Sequence, residues 1–534
     1  MNMKKAGAFA LAAATALTML TGCGGEKNAA DTDEIMSREN VAEYKYPEQI
    51  ELKIPVYDRG TAGQASVTDN YWTQYVQKEF ADKHNIKMKF ISIPRKEENT
   101  TFNQLLAGKP ENQPDIIFNY DYPTIVSFAD QGAFQKLDEE MIKKYAPTYY
   151  DRVKELDQYT MLDGERLFLA ATRPRSYNYM TLVRKDWLDK CGLDIPKTDE
   201  EFINMLREFK KQKLGGEDTI PMTLYLKNAY YPNYNFRPYP MPEEENALYS
   251  DITVCSLTYG PTKEQLKYDN ALYNEGLVSP EWYLDVDNLK AQSAFISGKA
   301  GVFSDYLSKN PDVIGNLKKN VPDAEVAFIP AHPMDGKVPA GRDENPFGMM
   351  SGININCAHP EAVLMYFEWL SQPENLYTMQ NGIEGVTYNL EDDVPVLIDG
   401  YTGEERLNYN SNKDMWCLVT EGKDFGSDEL NLKAQEKTYA PEGYEFLIRD
   451  SYQNYLNTKE YLYPDFIFDK PIESLSNLGE TLKSKWQTIQ VDLINCKPEE
   501  FETKYETACK EYLDAGYQQV LDEKKQAYSE MKNK

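Results

Sequence analysis

Asn119-Tyr120-Asp121-Tyr122 closes a short apolar run, Pro114-Asp-Ile-Ile-Phe118. A carboxylate and an amide take and give hydrogen bonds, and a phenol adds a flat apolar face. That set can hold a polar ligand, although an Asx turn uses the same residues to stabilise backbone alone. Asp58, in the loop Tyr57-Asp-Arg-Gly-Thr61, ends an earlier apolar alternation in the same way. Arg173, Arg175 and Tyr177 surround Pro174, and Asp305 and Tyr306 follow the apolar Gly298–Phe303. Glu384 lies in a Gly-Ile-Glu-Gly turn just before Tyr388, and Trp416 stands in the polar stretch Asn408–Cys417. An exposed indole there would stack on a ring. Solvated hinge charges and a plain turn are the structural alternatives for the arginines and for Glu384. Trp72 shares a helical face with Tyr75 and Val76, so it reads as core, as does Trp282.

Bond-breaking chemistry has no comparable signature. Neither a Gly-x-Ser-x-Gly elbow nor a phosphate-binding Gly-rich loop with Lys is present. Glycoside hydrolysis needs two carboxylates at a set separation; with 86 acidic residues candidates always exist, and no motif singles out a pair. The three histidines, His84, His332 and His359, are too far apart for zinc spacing. No cofactor or metal is expected.

The elements that must position these residues read as follows. Ile50, Leu52, Ile54 and Val56 alternate as a strand, Ile86–Ile93 is the next, and Pro114–Phe118 is a third, with helical stretches between. This β-α-β-α-β rhythm signals a parallel α/β sheet, whose ligands sit beyond the carboxyl ends of the strands. Leu167–Ala171 and Tyr179–Val183 are strand-like runs joined by a polar connector containing Pro174, either a hairpin or a hinge. Similar stretches at 303–306 and 349–354 favour the hinge. Thr198-Asp-Glu-Glu201 is a capping box for a helix burying Phe202, Met205, Leu206 and Phe209. Residues 227–250 are a Tyr/Pro/Asn-rich insertion, and 501–515 carry an amphipathic helical pattern.

A chain of 534 residues exceeds a single core, so two to four domains are expected. Its formal net charge of −28 argues against nucleic-acid binding. Lys4 and Lys5 precede an apolar run, Ala6–Leu20, too short to span a bilayer, and Leu20-Thr-Gly-Cys23 ends it. Residues 1–22 therefore read as a signal peptide. The sequence around Cys23 resembles a lipobox, making Cys23 the lipidated first residue, and residues 23–46 a polar tether. Six further cysteines show no disulfide framework and read as buried thiols.

Taken in order, several motifs resemble the extracellular sugar-binding lipoproteins of bacterial ABC importers, in the long branch that binds oligosaccharides. They are the lipobox, Gln113-Pro-Asp-Ile-Ile117, Arg184-Lys-Asp-Trp-Leu188 with Cys191-Gly-Leu-Asp-Ile-Pro196, Phe295-Ile-Ser-Gly-Lys-Ala-Gly301, His359-Pro-Glu-Ala362 and Gly382-Ile-Glu-Gly385. The resemblance implies an α/β, two-lobed periplasmic-binding-protein-like fold with three interlobe crossings and a helical C-terminus. Residues 47–174 with 304–351 would form the first lobe, and 175–303 with 352–534 the second. It further implies hinge closure on an oligosaccharide, which Asp58, Asn119, Tyr120, Asp121, Arg173, Tyr177, Asp305, Tyr306, Glu384, Tyr388 and Trp416 would contact. The implied partners are an ABC permease and, through the lipid, the outer face of the cell membrane, with the protein a monomer. Long-branch relatives carry an Asp/Asn-rich calcium loop where this chain has only Glu217 and Asp218, so no calcium site is carried over. A cell-surface carbohydrate-active enzyme and a peptide-binding lipoprotein are the competing readings.

Overall fold

Alternating Leu52, Ile54 and Val56 are the buried face of the strand Ile50–Asp58 in the computed structural model. The structure describes residues 32–533 apart from 62, 175–178, 227–235, 237, 251–253, 332–336, 344 and 408–411. The strand Ile86–Pro94 runs parallel to the first along its whole length, from Ile86 opposite Ile50 to Pro94 opposite Asp58. A parallel pair needs a crossover, and the helix Tyr71–Val76 begins it. Asn70 caps this helix by accepting from the Trp72 and Thr73 amides, while the Thr73 hydroxyl accepts from the Asn70 amide. Trp72, Val76 and Phe80 fill the core beneath, as helical spacing predicts.

Asp115 brings the chain back beside the first strand, its amide donating to Lys53 O and its carboxylate accepting from the Lys53 amide. The strand Ile116–Asn119 does not then extend a parallel series. It pairs antiparallel with Phe347–Ile353, which has Leu169–Thr172 antiparallel on its other side. Every residue of that central strand is buried. Gly352 is required in it, because a Cβ would lie 2.3 Å from Phe134 Cδ1.

The second lobe is built on a four-stranded sheet in the order Val326–Phe328, Tyr179–Arg184, Ala300–Tyr306, Ile220–Met222. Val183 and Val302 face one core, which holds the helix Asp199–Lys211 and the C-terminal helices Glu473–Asn495, Phe501–Tyr512 and Gln518–Lys532. Met180, Leu182 and Phe303 face another, with Val313, Leu317, Leu447 and Ile448. Both faces are covered. The Thr198 hydroxyl caps its helix by accepting from the Glu201 amide, and Phe202, Met205, Leu206 and Phe209 are its buried stripe. Trp282 is buried and donates to Asn495 Oδ1. The six described cysteines are free thiols. No helix among the described residues is long and apolar enough to cross a membrane.

Core membership corrects the expected lobe boundaries. Residues 304–328, assigned to the first lobe, lie in the second sheet and its covering helix Asn310–Asn320. Residues 353–419, assigned to the second lobe, pack in the first core, led by the helix Pro360–Ser371. The crossings therefore run from Thr172 to Tyr179, from Ile329 to Phe347 and from Val419 to the helix Asp428–Tyr439. Residues 303–306 and 349–354, expected as crossings, lie within strands of the two sheets. A fully buried strand and a strand entering a hinge are both short apolar runs with polar flanks, and periodicity does not separate them.

The expected tether is also shorter than 23–46. The helix Thr32–Ser37 buries Ile35 on the first lobe, with the Tyr145 hydroxyl on Ile35 O and the Lys144 ammonium on Met36 O. Tyr46 is buried too, its amide donating to His84 O and its hydroxyl to Glu361 Oε1. A polar sequence hides such docking because a few buried groups, spaced irregularly, carry it.

Candidate functional site

The three crossings lie side by side and are bonded to one another. The Thr172 amide donates to Val419 O at 3.1 Å, and the Glu421 amide returns to Thr172 O at 2.7 Å. The Arg173 amide donates to Pro346 O at 3.0 Å. Its guanidinium then donates to Glu421 Oε2 through Nε and Nη2, at 2.8 and 2.7 Å, and to Asn345 O through Nη1 at 3.4 Å. One side chain from the first crossing thus grips both others. Glu421, its ionic partner, was not a sequence candidate.

At the carboxyl ends of the first-lobe strands the local chemistry is polar and already organised. The Asp58 carboxylate accepts from the Gly60 amide, a turn that presents Arg59. The Arg59 guanidinium forks onto Asp414, and the Tyr120 hydroxyl donates to the same Asp414 Oδ1 at 3.2 Å. Burial opposes the Arg59 charge, but Asp414 outweighs it and holds the guanidinium above its ordinary pKa. Burial pushes the Tyr120 hydroxyl well up, so it stays a donor. Arg95 lies over the Tyr57 ring at 4.6 Å and near that of Tyr120 at 5.6 Å. Asn119 is buried, donating to Asn99 and accepting from the Asp121 amide. Asp121 caps the helix Tyr122–Asp130, accepting from the Thr124 amide and hydroxyl at 3.1 and 2.6 Å. The Asx geometry that was one alternative for this tetrad is therefore present, and such a cap is worth about 1 kcal/mol.

A cavity of about 280 Å³ opens between the lobes beside the crossings. Tyr120, Asp121 and Tyr122 line it from the first lobe, Arg173, Asn345 and Phe347 from the crossings, and Asp465, Lys470 and Lys524 from the second. Asn345 Nδ2 reaches Asp465 Oδ2 at 3.5 Å. Three of the sequence candidates, Tyr120, Asp121 and Arg173, thus meet at one cavity.

Elsewhere the candidates scatter. Trp416, expected to be an exposed indole, is 7% exposed and belongs to the first core. The polar residues around it mislead because the short helix Lys413–Trp416 turns Asp414 to Arg59 and Met415 and Trp416 inward. Tyr388 is also buried, its ring 6.2 Å from that of Tyr377. Glu384 is exposed in the preceding turn, where the Gly385 amide donates to Tyr388 O. Both follow the helix Pro373–Asn381, whose Leu376 and Met379 sit in the first core, so they are not second-lobe groups. Asp305 and Tyr306, expected at a crossing, instead end a strand of the second sheet. Tyr177 and Cys23 lie outside the described residues. Asp414, Glu421 and Asp465 were missed because each is identified by a partner 120 or more residues away.

Glu217 is taken by Lys213 at 2.6 Å, and Thr219 Oγ1 bridges the Gly215 amide and Gly216 O. Among the described residues no group of three or more acidic, His or Cys side chains converges as a metal site.

Comparison with known proteins adds the following. The family described as bacterial extracellular solute-binding protein matches residues 64–376. Lipoprotein LipO of Bacillus subtilis is 25% identical over 329 residues, 58% of this chain and 62% of the relative. A polygalacturonan/rhamnogalacturonan-binding protein of the same organism, YtcQ, is 23% identical over 336 residues, 59% of this chain and 64% of the relative. Each match thus spans less than two thirds of the relative's length. In three dimensions the chain is similar to an HMO-binding, ABC-transporter-associated solute-binding protein from Bifidobacterium longum infantis. That likeness has a TM-score of 0.61 at 16% identity, covering 90% of this chain and 99% of the other.

Proposed function

The chain belongs to the bacterial extracellular solute-binding proteins, and on that premise we propose that it captures an oligosaccharide between its lobes and hands it unaltered to an ABC permease. The observation that carries this reading is the laced triple crossing beside an interlobe cavity of mixed charge. Three adjacent crossings restrict the lobes to bending about one line, and ligand contacts made only when closed drive the closure. A lining that joins carboxylates, ammonium groups and tyrosines to an apolar half that includes Phe347, Phe466 and Phe468 suits a saccharide, with hydrogen bonds for its hydroxyls and flat faces for its C–H surfaces. The saccharide named for YtcQ and the transporter association named for the Bifidobacterium protein support the same reading. Arg59 and Arg173 each hold a carboxylate, so they do not by themselves argue for an acidic sugar.

A thermal-shift screen against oligogalacturonides, fructo-oligosaccharides and peptides tests it. A saccharide at about 100 times its dissociation constant should add roughly 2.7 kcal/mol of stability and be recovered intact by chromatography. Stabilisation by peptides alone, or cleavage of the saccharide, would refute the reading.

The same proposal places the protein on the outer face of the membrane through a lipid on Cys23, as the lipobox and the similarity to LipO suggest. Residues 24–31 are then all that separate the lipid from the docked Thr32, a reach of at most about 30 Å. The first lobe would ride close to the permease. Fatty-acid labelling should disappear in Cys23→Ala; labelling that persists would rule the anchor out.

A further inference from the structure

Glu384, Tyr388 and Trp416 are not second-lobe groups, and beyond Asp465, Lys470 and Lys524 in the cavity the second lobe carries a further surface outside that lining. It lies on the second sheet. Tyr179 is the first residue of its strand after the first crossing, and Tyr306, the last of its own, is its Cα partner. The strand Val326–Phe328 runs to the same end, where the Ile329 amide donates to Thr181 O before the second crossing leaves. The pair therefore stands at the end of the second sheet that faces the first lobe.

Its geometry is that of one surface. The rings are 4.4 Å apart at 31°, and the Tyr179 hydroxyl donates to the Tyr306 hydroxyl at 2.8 Å. Beneath them Thr181 and Ser304 join hydroxyls at 2.8 Å. Yet Tyr179 and Tyr306 are exposed, at 38% and 46%. An aromatic pair that served only the sheet would gain most by burial. Asp305, between Ser304 and Tyr306 and paired with Met180, points to the opposite face of the sheet, and its carboxylate accepts from the Tyr306 amide.

We propose that Tyr179 and Tyr306 form a saccharide platform on the second lobe, with the C–H face of a sugar ring on the phenol rings. This rests on the oligosaccharide reading. No bond is made or broken, and the Tyr179–Tyr306 hydroxyl bond holds the rings together before binding.

The test uses the full chain and the oligogalacturonide and fructo-oligosaccharide series. Titration calorimetry should show Tyr306→Ala weakening the saccharide that binds wild type by at least about tenfold, with Tyr306→Phe within threefold. Nitration of Tyr179 and Tyr306 in wild type, read by peptide mass, should fall when that saccharide saturates the protein. If neither series binds wild type, the oligosaccharide reading fails and the platform with it. If wild type binds while Tyr306→Ala binds equally, or nitration is unprotected, the platform alone is wrong. Equal losses in the Ala and Phe variants would overturn stacking.

Discussion

Arg38→Ala is expected to destabilise the first lobe by about 3–5 kcal/mol, the usual result of leaving one half of a buried ion pair behind. Arg38 Nη1 lies 3.2 Å from Glu361 Oε1, with side-chain exposures of 9% and 0%. The Tyr46 hydroxyl donates to the same oxygen at 2.8 Å, and His359 Nδ1 is 3.4 Å away. Arg38 also lies over the Tyr44 ring, 4.3 Å from its centre. Burial by itself would raise the Glu361 carboxyl, but the bonds from His359 and Tyr46 outweigh it and hold the pKa below the usual value. A lowered folded-state pKa means that the stabilisation is complete above the unfolded value, near 4.3. It is lost as pH falls through the folded one. The variant's deficit should accordingly shrink as pH falls through the lowered folded-state value and Glu361 becomes neutral. Urea denaturation of the two chains at pH 7 and at successively lower pH reads both effects. A deficit within a few tenths of a kcal/mol at pH 7 would mean that residues 32–46 are not held by this pair.

That docking was not legible beforehand, and the reason is general to this chain. Local patterns gave the strand Ile50–Asp58, the capped helix Asp199–Lys211, and Trp72 and Trp282 as core, because each depends on neighbours within a few positions. Long-range pairings gave no such signal. Phe347–Ile353 looked like a hinge, yet it is the centre of a sheet whose flanking strands lie far upstream. Asp414 looked like one more polar residue near an indole, yet it is the carboxylate that holds Arg59 and Tyr120. The order of motifs carried the two-lobed architecture where periodicity could not. Motif order does not say on which lobe a segment packs, which is why Glu384, Tyr388 and Trp416 were expected across the cleft.

Arg173→Ala should lower saccharide affinity by about 10- to 100-fold, the equivalent of the 1.5–3 kcal/mol that a charged hydrogen-bond set contributes. Its guanidinium is 18% exposed and grips Glu421, while its amide and Nη1 hold Pro346 and Asn345. Without it the crossings are joined mainly by the Thr172 amide and carbonyl, and the lobes gain motions that do not lead to closure. Ligand binding would then carry the cost of aligning them. Arg173 also lines the cavity, so a direct contact with the saccharide could give the same loss. Glu421 separates the two explanations, since it bonds Arg173 but is not among the residues lining the cavity. If Arg173 acts through the crossings, Glu421→Ala should weaken binding nearly as much. The double variant should be little worse than either single one, and the ligand-induced drop in radius of gyration by X-ray scattering should shrink in all three. If Glu421→Ala binds normally while Arg173→Ala does not, Arg173 touches the ligand and the lacing of the crossings is not what sets affinity.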